Sequence, residues 1–148
     1  MKRPEFNKDT FPHWTTITIR FRDLDPLNHV NNAIFSTYYE EARISFIQDV
    51  NRLADQLKNG YSFVLANIEI NFINPVEYPA DIVIGSGIKT LGNSSITSFQ
   101  AIYIADKKRL ASTATAHGVW FDLNNQRPTR LPEIPNREKY ILPESLFE

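Results

Sequence analysis

An acidic loop leads directly into the predicted start of a long helix, in the segment RFRDLDPLNHVNNAIFSTYYEEAR at residues 20–43. The first turn of a helix presents unbonded backbone N–H groups and a partial positive charge of about half an elementary unit. A carbonyl group placed there would be polarised, and the oxyanion formed by attack on it would be stabilised. Asp25 is the carboxylate best placed to reach that carbonyl, because Pro26 stiffens the backbone that follows it.

The same loop also has plainer interpretations. Asp25 and Pro26 form a common turn sequence, and His29 can bond to the local backbone. A divalent metal could also be ligated here by Asp23, Asp25 and His29, although the segment lacks a further clear ligand. The loop alone therefore leaves turn formation, metal binding and acid–base chemistry open.

Polar side chains continue from the loop onto the predicted helix. Asn31 and Asn32 are typical helix-start residues, because an Asn oxygen can accept a hydrogen bond from the first turn. Glu40 and Glu41 are typical of side chains that are solvated or paired with Arg43. Either glutamate could also face a cleft and act as a general base.

Composition excludes several classes of function. The chain of 148 residues carries 16 Lys and Arg against 17 Asp and Glu, a net charge of -1, so no positive excess favours nucleic acid or a membrane surface. It has no cysteine, which excludes disulfides, a thiol nucleophile and a thiolate zinc site. No apolar run is long enough for a signal peptide or a membrane span, and we expect a cytoplasmic protein.

Other hydrolytic and nucleotide-binding motifs are missing from the sequence. No Gly-x-Ser-x-Gly occurs, and the three histidines, His13, His29 and His117, lie in different segments without the spacing of a zinc protease. The GSGIKTLG stretch at 85–92 begins like a dinucleotide-binding loop, but Thr90 replaces the third glycine and no helix follows. The acidic loop is therefore the strongest candidate for chemistry.

A strand and a helix must position this loop. Residues 14–22 alternate with the period of a half-buried strand, which places three apolar side chains on one face, Ile17, Ile19 and Phe21. From about 33 to 58, apolar residues recur every three or four positions, which predicts a helix with one apolar stripe. Such a helix would be about 40 Å long, and we expect it to break near residues 49–51.

Four further strands and a tail are predicted after the helix. The period of two returns from Tyr61 and again in three later segments, 81–90, 94–105 and 109–122. Residues 127–148 carry four prolines and no periodicity, and we expect a surface tail of the same single domain, 1–148. One strand, one helix and a four-stranded antiparallel meander give an α+β domain whose helix covers one face of the sheet.

Two finer features of these strands follow from the pattern. One face of the strand after the helix is predicted to carry five apolar side chains, Val64, Ala66, Ile68, Ile70 and Phe72. In the next strand, Gly85 and Gly87 predict a bend or a bulge.

The segment DLDPLNHVNNAIFSTYYEEAR at 23–43 resembles the signature of the hotdog-fold acyl-CoA thioesterases of the 4-hydroxybenzoyl-CoA thioesterase type. That signature consists of Asp-x-Asp, a short loop, His-Val-Asn-Asn, an aromatic-rich helix start and Glu-x-Ala-Arg. The similarity continues through residues 68–95 and 116–132, so it covers most of the chain. Asn28 departs from the pattern, since many relatives have glycine before the histidine.

The resemblance implies a hotdog fold, in which a five-stranded antiparallel sheet wraps around one long central helix. It also implies a homodimer or homotetramer with active sites between the subunits. Carried onto this sequence, the catalytic carboxylate is Asp25, which either attacks the thioester or activates water. No metal or other cofactor is implied, because coenzyme A is part of the acyl-CoA substrate.

Further site residues follow from the same resemblance. The loop and the oxyanion-binding helix start would be shaped by His29, Asn31 and Asn32, with the backbone N–H near Asn32 as the oxyanion donor. The residues that would line or support the substrate site are Phe35, Tyr39 and Glu40.

The expected function is hydrolysis of an acyl-CoA to a free carboxylic acid and coenzyme A. One alternative is a dehydratase or hydratase on the same fold, although such an enzyme is expected to carry His-Phe-Pro where this chain has His-Val-Asn. Another is a non-catalytic protein that binds acyl-CoA. The sequence leaves open which acyl group is preferred and whether the carrier is coenzyme A or acyl carrier protein. It also leaves open which cations hold the phosphates of coenzyme A, and the candidates are Lys89, Lys107, Lys108, Arg109, Arg127 and Arg130.

Overall fold

A computed structural model describes residues 3–148 as a curled antiparallel sheet with one long helix. The strands are β1 His13–Thr18, β2 Tyr61–Phe72, β3 Asp81–Leu91, β4 Ser95–Ile104, β5 Arg109–Asp122 and the short β6 Arg127–Pro128. The helices are α1 Asn32–Asp49 and α2 Leu53–Leu57, and 3-10 turns lie at Phe21–Asp23, Arg137–Tyr140 and Glu144–Phe147. The α+β class and the five long strands predicted from the sequence are confirmed.

The connections between strands decide the order of the sheet, which is β1-β3-β4-β5-β2 with β6 added to β5. The predicted four-stranded meander is wrong for β2, because β2 pairs with β5 rather than with β3. Residues 92–94 and 105–108 are short enough for hairpins, whereas the 73–80 connection is long enough to cross the end of the sheet. Strands β1 and β2 therefore form the two edges.

Strand β1 is shorter than its alternating pattern predicts. The predicted strand runs to Arg22, but pairing with β3 stops at Thr18 and the chain then enters a 3-10 turn. The Asp23 carboxylate closes this turn by accepting a hydrogen bond from the Arg20 backbone N–H at 3.1 Å. Phe21, predicted on the buried face, is 74% exposed as a result.

The long helix breaks where the sequence predicts. Helix α1 ends at Asp49, and α2 begins at Leu53 after Arg52 adopts a positive φ of 72°. At its other end, α1 is capped by Asn31, whose side-chain oxygen accepts a hydrogen bond from the Ala33 N–H at 3.0 Å. Of the helices in the described residues, none has the length and apolar character needed to cross a membrane.

A bulge in β2 changes which of its side chains point towards the helix. The register with β5 shifts around Ala66. Odd-numbered side chains therefore point towards the helix before the bulge, and even-numbered side chains do so after it. Phe63 packs beside Trp120 before the bulge, while Ile70 packs inward after it. The single predicted face is therefore wrong at Val64, which pairs with Val119 on the outer side and is exposed.

Both ends of the chain cover the outer face of the sheet. A Cβ on Gly85 would lie 2.4 Å from the Phe11 ring, and one on Gly87 would lie 2.6 Å from Leu142. These glycines permit close approach, and the predicted irregularity in β3 lies instead between Ile88 and Thr90. The prediction of a surface tail is also wrong in part, because three of its side chains are buried, Ile134, Tyr140 and Leu142.

The helix covers the inner face through a buried stripe, Phe35, Tyr38, Tyr39, Ala42 and Phe46. The start of the stripe packs with Val30, Ile82, Ile104 and Ala111. These contacts hold the 24–30 loop at the end of the sheet where β1 and β4 stop and where β3 and β5 begin.

Candidate active site

The loop that carries Asp25 is closed by backbone hydrogen bonds. Leu24 and Val30 form an isolated antiparallel bridge. The Asp25 N–H donates to the His29 carbonyl at 2.9 Å, and the Asn28 N–H donates to the Asp25 carbonyl at 3.0 Å. These bonds fix the Asp25 backbone, which leaves its half-buried side chain at the loop surface.

The Asp25 carboxylate itself takes part in the turn. Its Oδ1 accepts a hydrogen bond from the Leu27 N–H at 2.9 Å, which orients the carboxylate. Asn28 has a φ of 63°, in the left-handed region that glycine and asparagine adopt most readily. The departure from glycine at this position therefore suits the conformation that the loop requires.

Asp23 anchors the base of the loop inside the protein. Its carboxylate accepts hydrogen bonds from the Tyr38 hydroxyl at 2.7 Å and from the Arg20 guanidinium at 3.1 Å. Burial raises the pKa of Asp23, but the bonds from Tyr38 and from Arg20 outweigh it, so the pKa lies below the ordinary 3.8. Asp23 is therefore a buried anion that holds the loop.

The carboxylate of Asp23, one of the three ligands that a metal at this loop would need, is engaged by other side chains. Within residues 3–148, no group of three or more His, Cys, Asp or Glu side chains could hold a metal ion. The Asp23 oxygens are bonded to Tyr38 and Arg20 instead.

His29 lies at the rim of the loop, beside the β2–β3 connection. Its backbone bridges to Glu77, and its Nε2 lies 3.8 Å from the Glu77 Oε1. Next to it, the Val30 N–H donates to the Val76 carbonyl at 2.9 Å. The structure thus brings His29 close to Asp25, with a carboxylate on its other side.

The helix start lies directly after this loop. The Asn31 N–H donates to the Asp23 carbonyl at 2.9 Å, and the Asn31 side chain is used to cap Ala33. Asn32, the first residue of α1, is exposed. Asp25, His29, Asn31 and Asn32 are therefore gathered at one end of the molecule.

The three predicted substrate-lining residues are placed differently from one another. Tyr39 is fully buried, and its hydroxyl donates to the Ser112 Oγ at 2.7 Å. Phe35 is buried and packs edge-on against Phe72, with ring centroids 5.2 Å apart. Both of these side chains belong to the core, whereas Glu40 is exposed on α1 and lines a cavity.

That cavity lies between the two helices and the sheet and has a volume of about 410 Å³. Most of its lining is apolar, contributed by Ile44, Ile47, Val50, Leu53, Leu57, Phe63, Leu65 and Ile96. The sequence pattern did not predict this cavity, because a single apolar stripe on the helix does not reveal a second apolar strip along its side. The presence of Ile44 and Ile47 off the buried stripe is the signal that could have indicated it.

Arg43 gives the cavity one cationic wall. Its guanidinium donates to the Gln100 Oε1 at 3.4 Å, and Gln100 is held in place by bonds to the Tyr39 carbonyl at 3.2 Å and the Ser86 Oγ at 3.0 Å. Burial lowers the pKa of Arg43, while nearby Glu40 opposes that effect. The cavity therefore joins a long apolar region to a small polar one.

Comparisons with known proteins agree on one kind of enzyme. The family model described as the thioesterase-like superfamily matches residues 19–137. The long-chain acyl-CoA thioesterase FadM of Escherichia coli strain K12 is 30% identical over 125 residues, which cover 84% of this chain and 94% of FadM. The chloroplastic acyl-acyl carrier protein thioesterase ATL3 of Arabidopsis thaliana is 23% identical, over 87% of this chain and 67% of its own.

A solved structure resembles the fold over nearly its full length. A thioesterase of Thermus thermophilus, in complex with coenzyme A and Zn, superposes with a TM-score of 0.75 at 34% identity. The match covers 89% of this chain and 93% of that one. The hotdog fold implied by the sequence motif is thereby confirmed.

The buried anion at Asp23 predicts an acid-dependent stability. We expect Asp23→Asn to lower the free energy of unfolding at neutral pH by about 1–3 kcal/mol, because charge-assisted hydrogen bonds are lost. The pKa is lower in the folded than in the unfolded state, so this contribution is present above the ordinary value of 3.8 and is lost as pH falls through the folded pKa. Denaturant unfolding of both proteins from neutral pH to about pH 3 measures it.

Tyr38→Phe is the matched control, since it removes one donor and leaves the carboxylate. It should show a smaller loss of stability with the same direction of pH dependence. A difference between Asp23→Asn and the unmodified protein that grows in acid would contradict the assignment.

Proposed function

The chain belongs to the thioesterase-like superfamily, and we propose from that premise that it hydrolyses acyl-CoA to a free carboxylic acid and coenzyme A. Thioester hydrolysis is the activity named for its relatives. Coenzyme A as the carrier is supported by FadM and by the Thermus thermophilus complex. The observation that carries the proposal is an oriented carboxylate, Asp25, in the loop that feeds the start of α1.

The proposed chemistry needs only groups of the protein and water. The carbonyl oxygen of the thioester would lie at the start of α1 beside the Asn32 backbone N–H, because the Ala33 and Ile34 N–H groups are already bonded to Asn31. The positive end of the helix would favour the developing oxyanion there. Asp25 would then either attack the carbonyl carbon, expelling the thiolate and forming a mixed anhydride that water hydrolyses, or take a proton from an attacking water. The thiolate is a good leaving group on both routes, so a carboxylate is a sufficient catalyst.

The cavity beside α1 is the proposed place for the acyl chain. It begins at Glu40, which is about 12 Å along the helix from Asn32 at 1.5 Å per residue. Its apolar lining suits an aliphatic chain, since burial of each methylene group contributes about 0.8 kcal/mol. A long-chain substrate agrees with the activity named for FadM.

A second copy of this chain is the proposed partner. Strand β2 spans 12 residues, pairs on one side only, and carries exposed Val64 and Leu65. An open edge of this kind is a template for another strand, and an antiparallel pair of identical edges gives a two-fold symmetric dimer. The exposed side of α1 would lie in the same interface, next to the cavity.

Removal of the Asp25 charge tests the catalytic assignment. We expect Asp25→Asn to lower kcat/KM for a long-chain acyl-CoA by about 10²-fold or more, because neither nucleophilic attack nor general base catalysis remains. The assay is release of free thiol, with thermal unfolding as the check on folding. The control is Asp55→Asn on α2, an exposed carboxylate that should retain activity.

The two catalytic routes differ in where water oxygen enters. After a single turnover in heavy-oxygen water, label in the Asp25 carboxylate would establish the nucleophilic route, with water attacking the Asp25 carbonyl carbon of the anhydride. The general-base route puts the label in the fatty acid and never in Asp25. If the folded Asp25→Asn variant retained most of its activity, both catalytic routes would be contradicted.

Filling the cavity tests the acyl site. We expect Ile47→Trp to lower kcat/KM for long acyl chains relative to short ones by about tenfold or more, because the larger side chain occupies the apolar space. Activity on a series of acyl-CoA chain lengths measures the change. Gln48→Trp, the next residue and an exposed one, should leave the preference unchanged. An unchanged preference in Ile47→Trp would exclude this cavity as the acyl site.

A charge on the open edge tests the dimer. We expect the unmodified chain to sediment at twice its 17.1 kDa mass, and Val64→Glu to shift it towards the monomer. Thr16→Glu places the same charge on the other edge strand and should leave the dimer intact. A monomeric unmodified protein, or equal effects of both changes, would contradict the proposed interface.

A further inference from the structure

A second cavity, here called the rim pocket, lies at the same end of the sheet as the Asp25 loop. It has a volume of about 430 Å³ and is lined by Arg3, Glu5, Phe6, Asn74, Tyr103 and Lys108, among others. That volume is within the range of small-molecule sites. The catalytic proposal does not use it.

The N-terminal segment forms a fixed wall of the rim pocket. The buried Tyr103 hydroxyl donates to the Pro4 carbonyl at 2.9 Å and lies 3.4 Å from the Glu5 carbonyl. The Phe6 ring packs against the rings of Tyr103 and Trp14, with centroids 5.4 Å and 5.3 Å away. One aromatic face is therefore held rigidly at the pocket.

Cationic side chains lie in or next to the rim pocket. The Lys108 Nζ lies 5.5 Å from the centre of the Phe6 ring. Arg109 donates to the Asn74 Oδ1 at 2.8 Å, which places its guanidinium at the edge of the pocket. None of the ion pairs found in residues 3–148 involves Arg3, Lys108 or Arg109, and Glu5 is the one acidic residue of the lining.

The rim pocket is connected to the catalytic loop by a short path. Asn74 is two residues from Val76, a span of at most about 7 Å. The Val76 carbonyl accepts the hydrogen bond from Val30, which closes the Asp25 loop. The rim pocket and the Asp25 loop therefore adjoin the same connection of the chain at one end of the sheet.

Resting on the proposed thioesterase function, we infer that the rim pocket binds the phosphorylated adenosine of coenzyme A. Arg3, Lys108 and Arg109 would hold the phosphates, and the purine would lie against Phe6. Phosphates favour cations with several N–H donors, and a planar base favours an aromatic face. A concave pocket suits a nucleotide better than the convex surface of an acyl carrier protein.

A comparison of two substrates tests this inference. The double variant Lys108→Gln/Arg109→Gln should raise KM for acyl-CoA about tenfold or more with kcat unchanged. The double variant should hydrolyse the same acyl group on pantetheine, which lacks the nucleotide, with the same KM and kcat as the unmodified protein. The control is Arg137→Gln, which removes a cation from a cavity of about 330 Å³ at the opposite end of the sheet and should change the hydrolysis of neither substrate.

Three results would overturn the inference. They are an unchanged KM for acyl-CoA, an equal rise for acyl-CoA and acyl-pantetheine, and a loss confined to acyl carrier protein substrates. Thermal unfolding checks that the variants are folded.

Calorimetric titration with adenosine 3′,5′-bisphosphate separates this inference from the proposed function. Binding by the unmodified protein and its loss in the Lys108→Gln/Arg109→Gln variant would support the rim pocket even if no thioester were cleaved. Hydrolysis of acyl-CoA without any nucleotide binding would refute the pocket and leave the proposed function standing.

Discussion

The buried carboxylate of Asp23 is the constraint on which the site depends. A buried charge is costly unless it is bonded, and this one accepts hydrogen bonds from Tyr38 on the helix and from Arg20 at the exit of β1. The backbone carbonyl of Asp23 accepts a hydrogen bond from the N–H of Asn31, the residue that caps α1. The end of β1, the base of the loop and the start of α1 are therefore all bonded to Asp23. Asp25 follows two positions later in the same loop, and its position near the start of α1 depends on these bonds.

Much of this site could be predicted because it is local in sequence. The Asn31 cap, the helix break and the change of period at the acidic loop each depend on residues within a few positions of one another. The end of β1 could not be predicted in the same way. Alternation continues to Arg22, but the contact of Asp23 with Tyr38, 15 positions away, turns the chain before Phe21 can enter the sheet.

The sheet order and the cavity depend on longer-range relations. The extra residue of the bulge at Ala66 reverses which side chains of β2 face the helix. The pattern of apolar residues does not reveal where such a bulge lies. The glycines of β3 are explained by Phe11 and Leu142, which come from opposite ends of the chain. Tyr39 matched the family motif, yet its side chain serves the core, because the motif does not say which side of the helix faces the sheet.

The most direct test is a crystal structure with a 2-oxoalkyl thioether of coenzyme A, a non-hydrolysable analogue in which one methylene group separates the sulfur from the carbonyl group. We expect the carbonyl carbon of the analogue to lie within about 3.5 Å of the Asp25 carboxylate, with its oxygen at the Asn32 backbone N–H. An analogue bound with its carbonyl group remote from Asp25 would contradict the catalytic role of Asp25.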